Sequence, residues 1–216
     1  MEDTANLERK FDDYFQSLGF SRVSEFVGES PGFENADYIR DCDRLVVELK
    51  ILDKDYFPQV GIIDRFCAIV PAPVNVNPDG TGIYTVSMPK TNREGRGDTF
   101  EEPMRRVLKK ANRQLKETNR VLFDTEGRGF VVIVMNGFRS LAPTVVARMV
   151  SELLAVEFSG ISGYILCARS PELWCLSGMA PDLKEVEYNT WFSIAEQIGD
   201  YLELENEAEQ DVTPNA

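Results

Sequence analysis

The sequence predicts an α/β fold: one domain with a mixed central β-sheet flanked by helices. Three observations carry this. Segments with helical spacing of apolar residues alternate with strand-like segments along the 216-residue chain. The two later strand segments, 129–136 and 161–169, are apolar on both faces, as in parallel strands covered by helices. A chain of this length buries roughly 70% of the surface it exposes when unfolded, so a single core suffices.

Leu7, Phe11, Tyr14, Phe15 and Leu18 recur at helical spacing and Gly19 follows as a stop, which predicts an amphipathic helix over 3–18. Three strands are expected next, at 22–29, 36–41 and 44–52, the last two joined by the turn residues Cys42-Asp43. Residues 54–99 contain Pro58, Pro71, Pro73, Pro78 and Pro89 and the turn signal Asn77-Pro78-Asp79-Gly80. They read as an irregular insertion after the third strand, with one short helix near 58–66. Thr99-Phe100-Glu101-Glu102 has capping-box spacing and opens a helix to about Arg120. Gly129 to Asn136 reads as an apolar strand, 142–158 as a helix with Pro143 in its first turn, and 161–169 as a strand. A helix at 190–202, carrying Ile194, Ile198, Tyr201 and Leu202, closes the domain, which is expected to occupy 1–202. Residues 203–216 contain five acids and no base and read as an acidic, disordered tail.

The 36 acidic and 23 basic side chains give a formal charge of -13, and there is no histidine. Without imidazole there is no Ser-His-Asp or Cys-His relay and no His-ligated zinc site, so any catalysis runs on carboxylates, lysine and metal. Cys42, Cys67, Cys167 and Cys175 form no C-x-x-C pair, and the opening Met1-Glu2-Asp3-Thr4 lacks a basic or apolar leader, so a reduced, cytoplasmic protein is expected. The longest apolar run, Phe130 to Met135, has six residues where a membrane span needs about twenty, and no membrane partner is expected. The charge is uneven: -8 over 1–89, +5 over 90–120, -1 over 121–181 and -9 over 182–216.

The third strand, Arg44-Leu45-Val46-Val47-Glu48-Leu49-Lys50-Ile51-Leu52, places Leu45, Val47, Leu49 and Ile51 on one side and the charged pair Glu48 and Lys50 on the other. A two-residue turn at Cys42-Asp43 sets Asp37 directly opposite Glu48. Opposed carboxylates repel unless a cation is shared, and a divalent metal is the natural compensator. A bare acid-x-Lys triplet is expected by chance roughly once in a chain of this composition. Of the three present, Glu8-Arg9-Lys10, Glu48-Leu49-Lys50 and Asp182-Leu183-Lys184, only the second lies on a strand with an acid opposite.

Helix, strand, a hairpin bearing Asp37 and then Glu48-Leu49-Lys50, helix and strand together resemble the PD-(D/E)xK, or restriction-endonuclease-like, nuclease superfamily over roughly residues 3–136. One departure is Ala36 where the family often has proline before the acid. The resemblance implies an αβββαβ core interrupted by the insertion and a metal-dependent nuclease that hydrolyses phosphodiester bonds, with DNA favoured over RNA. Asp37 and Glu48 would bind Mg2+ or Mn2+ with the Leu49 backbone carbonyl, and Lys50 would position the attacking water. It also implies roles for two further residues. Gln114, on the apolar stripe of the 99–120 helix, would join the catalytic set, a core-edge glutamine satisfied by backbone being the alternative. Glu8, on the first helix, would be a third metal-site acid, a solvated glutamate being the alternative.

On the 99–120 helix Arg105, Arg106, Lys109, Arg113, Lys116 and Arg120 share one face opposite the apolar stripe. This stripe suits phosphate contact, with Arg93 and Arg96 in the preceding loop as further candidates, unless it is a solvated face or a dock for the acidic tail. The alternative function is a catalytically inactive nuclease fold acting as an acidic protein-interaction module, with the tail binding a basic protein partner. A homodimer is a further possible assembly.

Overall fold

The computed structural model describes residues 4–28, 32–53, 75–76, 82–83, 98–136, 143–168, 174–179, 189, 191 and 193–198. Helix α1 (Thr4–Ser17) is followed by β1 (Ser21–Arg22), α2 (Val23–Val27), β2 (Tyr38–Arg40), a 3-10 turn (Asp41–Asp43) and β3 (Leu45–Leu52). Next come β4 (Asn75–Val76), β5 (Gly82–Ile83), α3 (Asp98–Phe123), β6 (Arg128–Met135), α4 (Pro143–Glu157), β7 (Gly163–Ala168) and β8 (Trp174–Met179). Asn189, Trp191 and residues 193–198 are helical.

Among the described residues six strands form one sheet in the order β1-β2-β3-β6-β7-β8, and β4 pairs with β5 separately. β3, β6 and β7 run parallel, while β1 to β2, β2 to β3 and β7 to β8 are antiparallel. The expected α/β class and the parallel centre are therefore present. The centre is apolar on both faces because helices cover both. On one face Val46, Leu52, Val131, Ile133, Met135 and Leu166 pack against Met104, Leu108, Ala111 and Leu115 of α3 and Val146, Met149, Val150 and Leu153 of α4. On the other, Leu45, Val47, Leu49, Phe130, Val132 and Val134 pack against Leu7, Phe11, Tyr14 and Phe15 of α1 and against Trp191, Ile194 and Ile198. Phe130 stacks on Trp191 with ring centroids 4.0 Å apart, and Phe15 on Tyr38 at 4.5 Å. Burying each such side chain is worth about 1.5–3 kcal/mol, so the two apolar stripes dominate the fold.

Several elements differ from expectation. The strand expected at 22–29 is two residues long: the Val23 N–H makes a last bond on the β1–β2 register, to the Asp37 carbonyl at 2.9 Å, and the chain then turns into α2. Gly28 ends α2 at φ +80°, a conformation open to glycine without a Cβ clash, with its N–H on the Ser24 carbonyl. The expected two-residue hairpin turn is a four-residue loop, Asp41 to Arg44, closed by Arg44 in the left-handed region at φ 54°. Both lengths are even, so the register survives: Tyr38 pairs with Val47, Ile39 with Val46 and Arg40 with Leu45.

β8 has no counterpart in the expectations. It is a short segment between prolines with Ser177 and Gly178 inside it, and it joins the sheet because β7 offers an edge. Gly178 is required there: a Cβ would come within 2.4 Å of the Tyr164 ring. β4 and β5 pair antiparallel within the segment expected to be irregular. The short helix near 58–66, the end of the closing helix and the acidic tail lie outside the described residues. Among the described residues no helix is long and apolar enough to cross a membrane.

Candidate metal centre

Strand alternation puts Glu48 and Lys50 on the α3 face of the sheet, between Val46 and Leu52 of the core. Glu48 lies beside Val131 of β6 and is 1% exposed. An ionised carboxylate in such surroundings is costly unless partnered. One partner is present: the Lys50 ammonium donates to Glu48 Oε1. Glu48 Oε2 is buried and has no hydrogen-bond partner among the described residues. Burial, and then the Asp37 charge, push the Glu48 carboxyl up to about 8, against the pull of Lys50.

Asp37 stands one residue before β2, and the β2–β3 register continued by that residue sets it opposite Glu48, as expected. Its Oδ2 accepts the Leu49 N–H at 2.8 Å, and Arg22 lies 3.6 Å from Oδ1. Burial raises the Asp37 carboxyl above its usual range, while the Leu49 N–H, Lys50 and Arg22 oppose the rise. The Leu49 N–H points to the β2 side of β3. In a strand the carbonyl of a residue leaves on the same side as its N–H, which turns the Leu49 carbonyl toward Asp37.

Gln114 bridges Lys50 and the main chain. Its Oε1 accepts from Lys50 Nζ at 3.0 Å, and its Nε2 donates to the Asn35 carbonyl at 2.9 Å. Glu8 is exposed on α1, the helix covering the opposite sheet face. The α1 acid tied to the site is Asp12, one turn later: it pairs with Arg22 at 2.5 Å and accepts from the Tyr38 hydroxyl at 2.7 Å. The Arg22 guanidinium also lies 4.7 Å over the Tyr38 ring. Sequence reasoning missed Asp12, Arg22 and Lys110. Lys110, one turn before Gln114 on α3, adds positive charge that Glu48 feels, and that i, i+4 spacing was the available signal.

Among the described residues no three or more Asp, Glu, Cys or His side chains are grouped to hold a metal ion. The available donors are two carboxylates and a main-chain carbonyl. These hard oxygen ligands match Mg2+ or Mn2+, which keep several waters and need few protein ligands. The partnerless Glu48 Oε2 fits such an ion, since metal coordination would complete its bonding.

The basic face of α3 is partly compensated. Arg105 pairs with Glu157 at 3.0 Å and Glu102 at 3.5 Å, Arg106 with Glu102 at 2.9 Å, and Arg113 with Glu34 at 2.5 Å. Lys116 donates to Ser159 Oγ at 3.0 Å. Lys109 and Arg120 are exposed. The acids come from outside the stripe or from the helix start, so the composition of the face alone did not show them. Arg93 and Arg96 lie outside the described residues.

Comparison with known proteins adds no relative: no protein-family model, no curated protein and no solved structure matches the chain.

Proposed function

We propose that the protein is a metal-dependent nuclease that hydrolyses phosphodiester bonds of nucleic acid, DNA in preference to RNA, on a restriction-endonuclease-like core. The observation that carries this reading is the buried, partnerless Glu48 Oε2 beside Asp37 and Lys50. The order α1, β1, β2, β3, α3, β6, with β3 antiparallel to β2 and parallel to β6, supports the core assignment.

Asp37, Glu48 and the Leu49 carbonyl would hold Mg2+ or Mn2+. When bound, the ion supplies Lewis-acid stabilisation of phosphate charge and lowers the pKa of water. Lys50 supplies a positive charge to the developing negative charge on the phosphate and orients the attacking water. Gln114 fixes the Lys50 ammonium at 3.0 Å, so that charge is positioned before substrate arrives. Arg22, braced by Asp12, limits the directions in which the Asp37 carboxylate can turn.

The test is a cleavage screen over single- and double-stranded DNA and RNA with Mg2+ and Mn2+, wild type beside Lys50→Ala and Glu48→Ala. Cleavage that survives both substitutions sinks the proposal. A second reading is an inactive nuclease fold that binds a protein partner. It is favoured by the ion pairs of Arg105, Arg106 and Arg113, which occupy charges a polyanion would need. Its signature is no thermal shift with Mn2+ together with a stable partner in a pull-down.

A further inference from the structure

The segment Glu34 to Asp37 carries the first metal-site acid, yet until β2 begins it belongs to no helix or strand. Backbone groups outside regular structure need partners when buried, and α3 supplies them. The Glu34 N–H donates to Glu117 Oε2 at 2.9 Å, the Asn35 carbonyl accepts from Gln114 Nε2 at 2.9 Å, and the Ala36 N–H donates to Thr118 Oγ1 at 2.8 Å. The Asp37 carbonyl accepts from Val23 at 2.9 Å.

Of these partners Thr118 is the buried one, at 0% exposure, as is Ala36. A threonine inside a helix ordinarily turns its hydroxyl back to the carbonyl one turn earlier, and a valine of the same shape would fill an apolar core without a polar atom. Here the hydroxyl reaches off the helix to the residue directly before Asp37. A proline at position 36 has no N–H and could not make this bond. The same helix face holds Gln114, which fixes Lys50.

We infer that Thr118 is the positioning residue for Asp37: its hydroxyl pins the Ala36 N–H, and α3 thereby sets Asp37 and Lys50 in register with each other. The consequence for metal binding rests on the reading of Asp37 as a metal ligand, whereas the consequence for Asp37 itself does not. The Leu49 N–H reports the latter directly, because it donates to the Asp37 carboxylate rather than to a neighbouring strand.

The experiment compares wild type, Thr118→Val and Thr118→Ser by amide hydrogen exchange without metal and by calorimetric titration with Mn2+. The expected result is Leu49 exchange about tenfold faster in Thr118→Val, with Val132 in β6 as an unchanged reference, and Mn2+ binding about fivefold weaker. Thr118→Ser restores both. Should Thr118→Val fail to fold, Thr118→Ala is read by the same two measurements. Unchanged Leu49 exchange in the hydroxyl-free variant overturns the inference even if wild type binds Mn2+. Accelerated exchange in a protein that binds no Mn2+ upholds the positioning of Asp37 and overturns the metal reading instead.

Discussion

Glu48→Gln tests the electrostatics of the site without requiring activity. In the metal-free protein the Glu48 carboxyl is raised to about 8 from an ordinary 4.5, chiefly by burial. At pH 7 the unfolded chain carries this group ionised while the folded chain carries it protonated, so folding takes up a proton. The cost is 2.303RT times the distance of pH 7 from the unfolded pKa, about 3 kcal/mol. Stability is therefore fully present below the unfolded pKa and is lost as pH rises toward the folded one. Glutamine has nearly the same shape, keeps a carbonyl for Lys50 and does not titrate. Glu48→Gln should then be more stable than wild type by about 3 kcal/mol at pH 7 and by under about 1 kcal/mol at pH 5. The assay is urea unfolding in a chelator at both pH values. A variant equally or less stable at pH 7, or a gain that does not change with pH, would refute the argument that burial governs this carboxyl. Mn2+ at one thousand times Kd should reverse the order, because wild type gains about 4.1 kcal/mol and the variant does not.

Three further outcomes follow from the same geometry. Lys50→Ala should lower single-turnover cleavage by about 10²–10³-fold while leaving Mn2+ affinity equal or tighter, since the ammonium competes for Glu48; calorimetric titration separates the two effects. Gly178→Ala forces a methyl group to 2.4 Å from the Tyr164 ring and should cost about 1–3 kcal/mol in thermal or urea unfolding, whereas an unchanged midpoint would mean that β8 is not seated on Tyr164. Trimming the chain from Glu203 removes five acids and should strengthen nucleic-acid binding at low salt in a filter or anisotropy titration; equal binding would leave the tail a solvated end.

The residues most legible in the sequence were those governed by local periodicity. Alternation along 44–52 put Glu48 and Lys50 on one face, and the even turn length kept Asp37 opposite, although the turn itself was misjudged by two residues. Less legible was anything decided by a distant partner. The strand expected at 22–29 gives way to α2 after a last bond from the Val23 N–H to the Asp37 carbonyl, and no pattern within 22–29 marks that end. Asp12 and Glu8 look alike one turn apart on α1, and only the location of Arg22 and Tyr38 distinguishes them. The basic stripe on α3 was real as a pattern, but Glu34 and Glu157 reach it from 79 and 52 positions away. Thr118 was invisible because a buried threonine reads as core until its acceptor role is seen.

The unequal lengths of β2 and β3 have a consequence of their own. β2 has three residues and β3 eight, so beyond Val47 the flank of β3 facing β2 has no neighbouring strand among the described residues. The main-chain N–H of Leu49 is thereby left to a side chain, Asp37, instead of to a ladder. The candidate centre is thus a sheet stopped short: where a fourth and fifth rung would have engaged Leu49, the chain bends away and Asp37 takes its N–H instead. Lengthening β2 by two residues would tidy the sheet and erase the site.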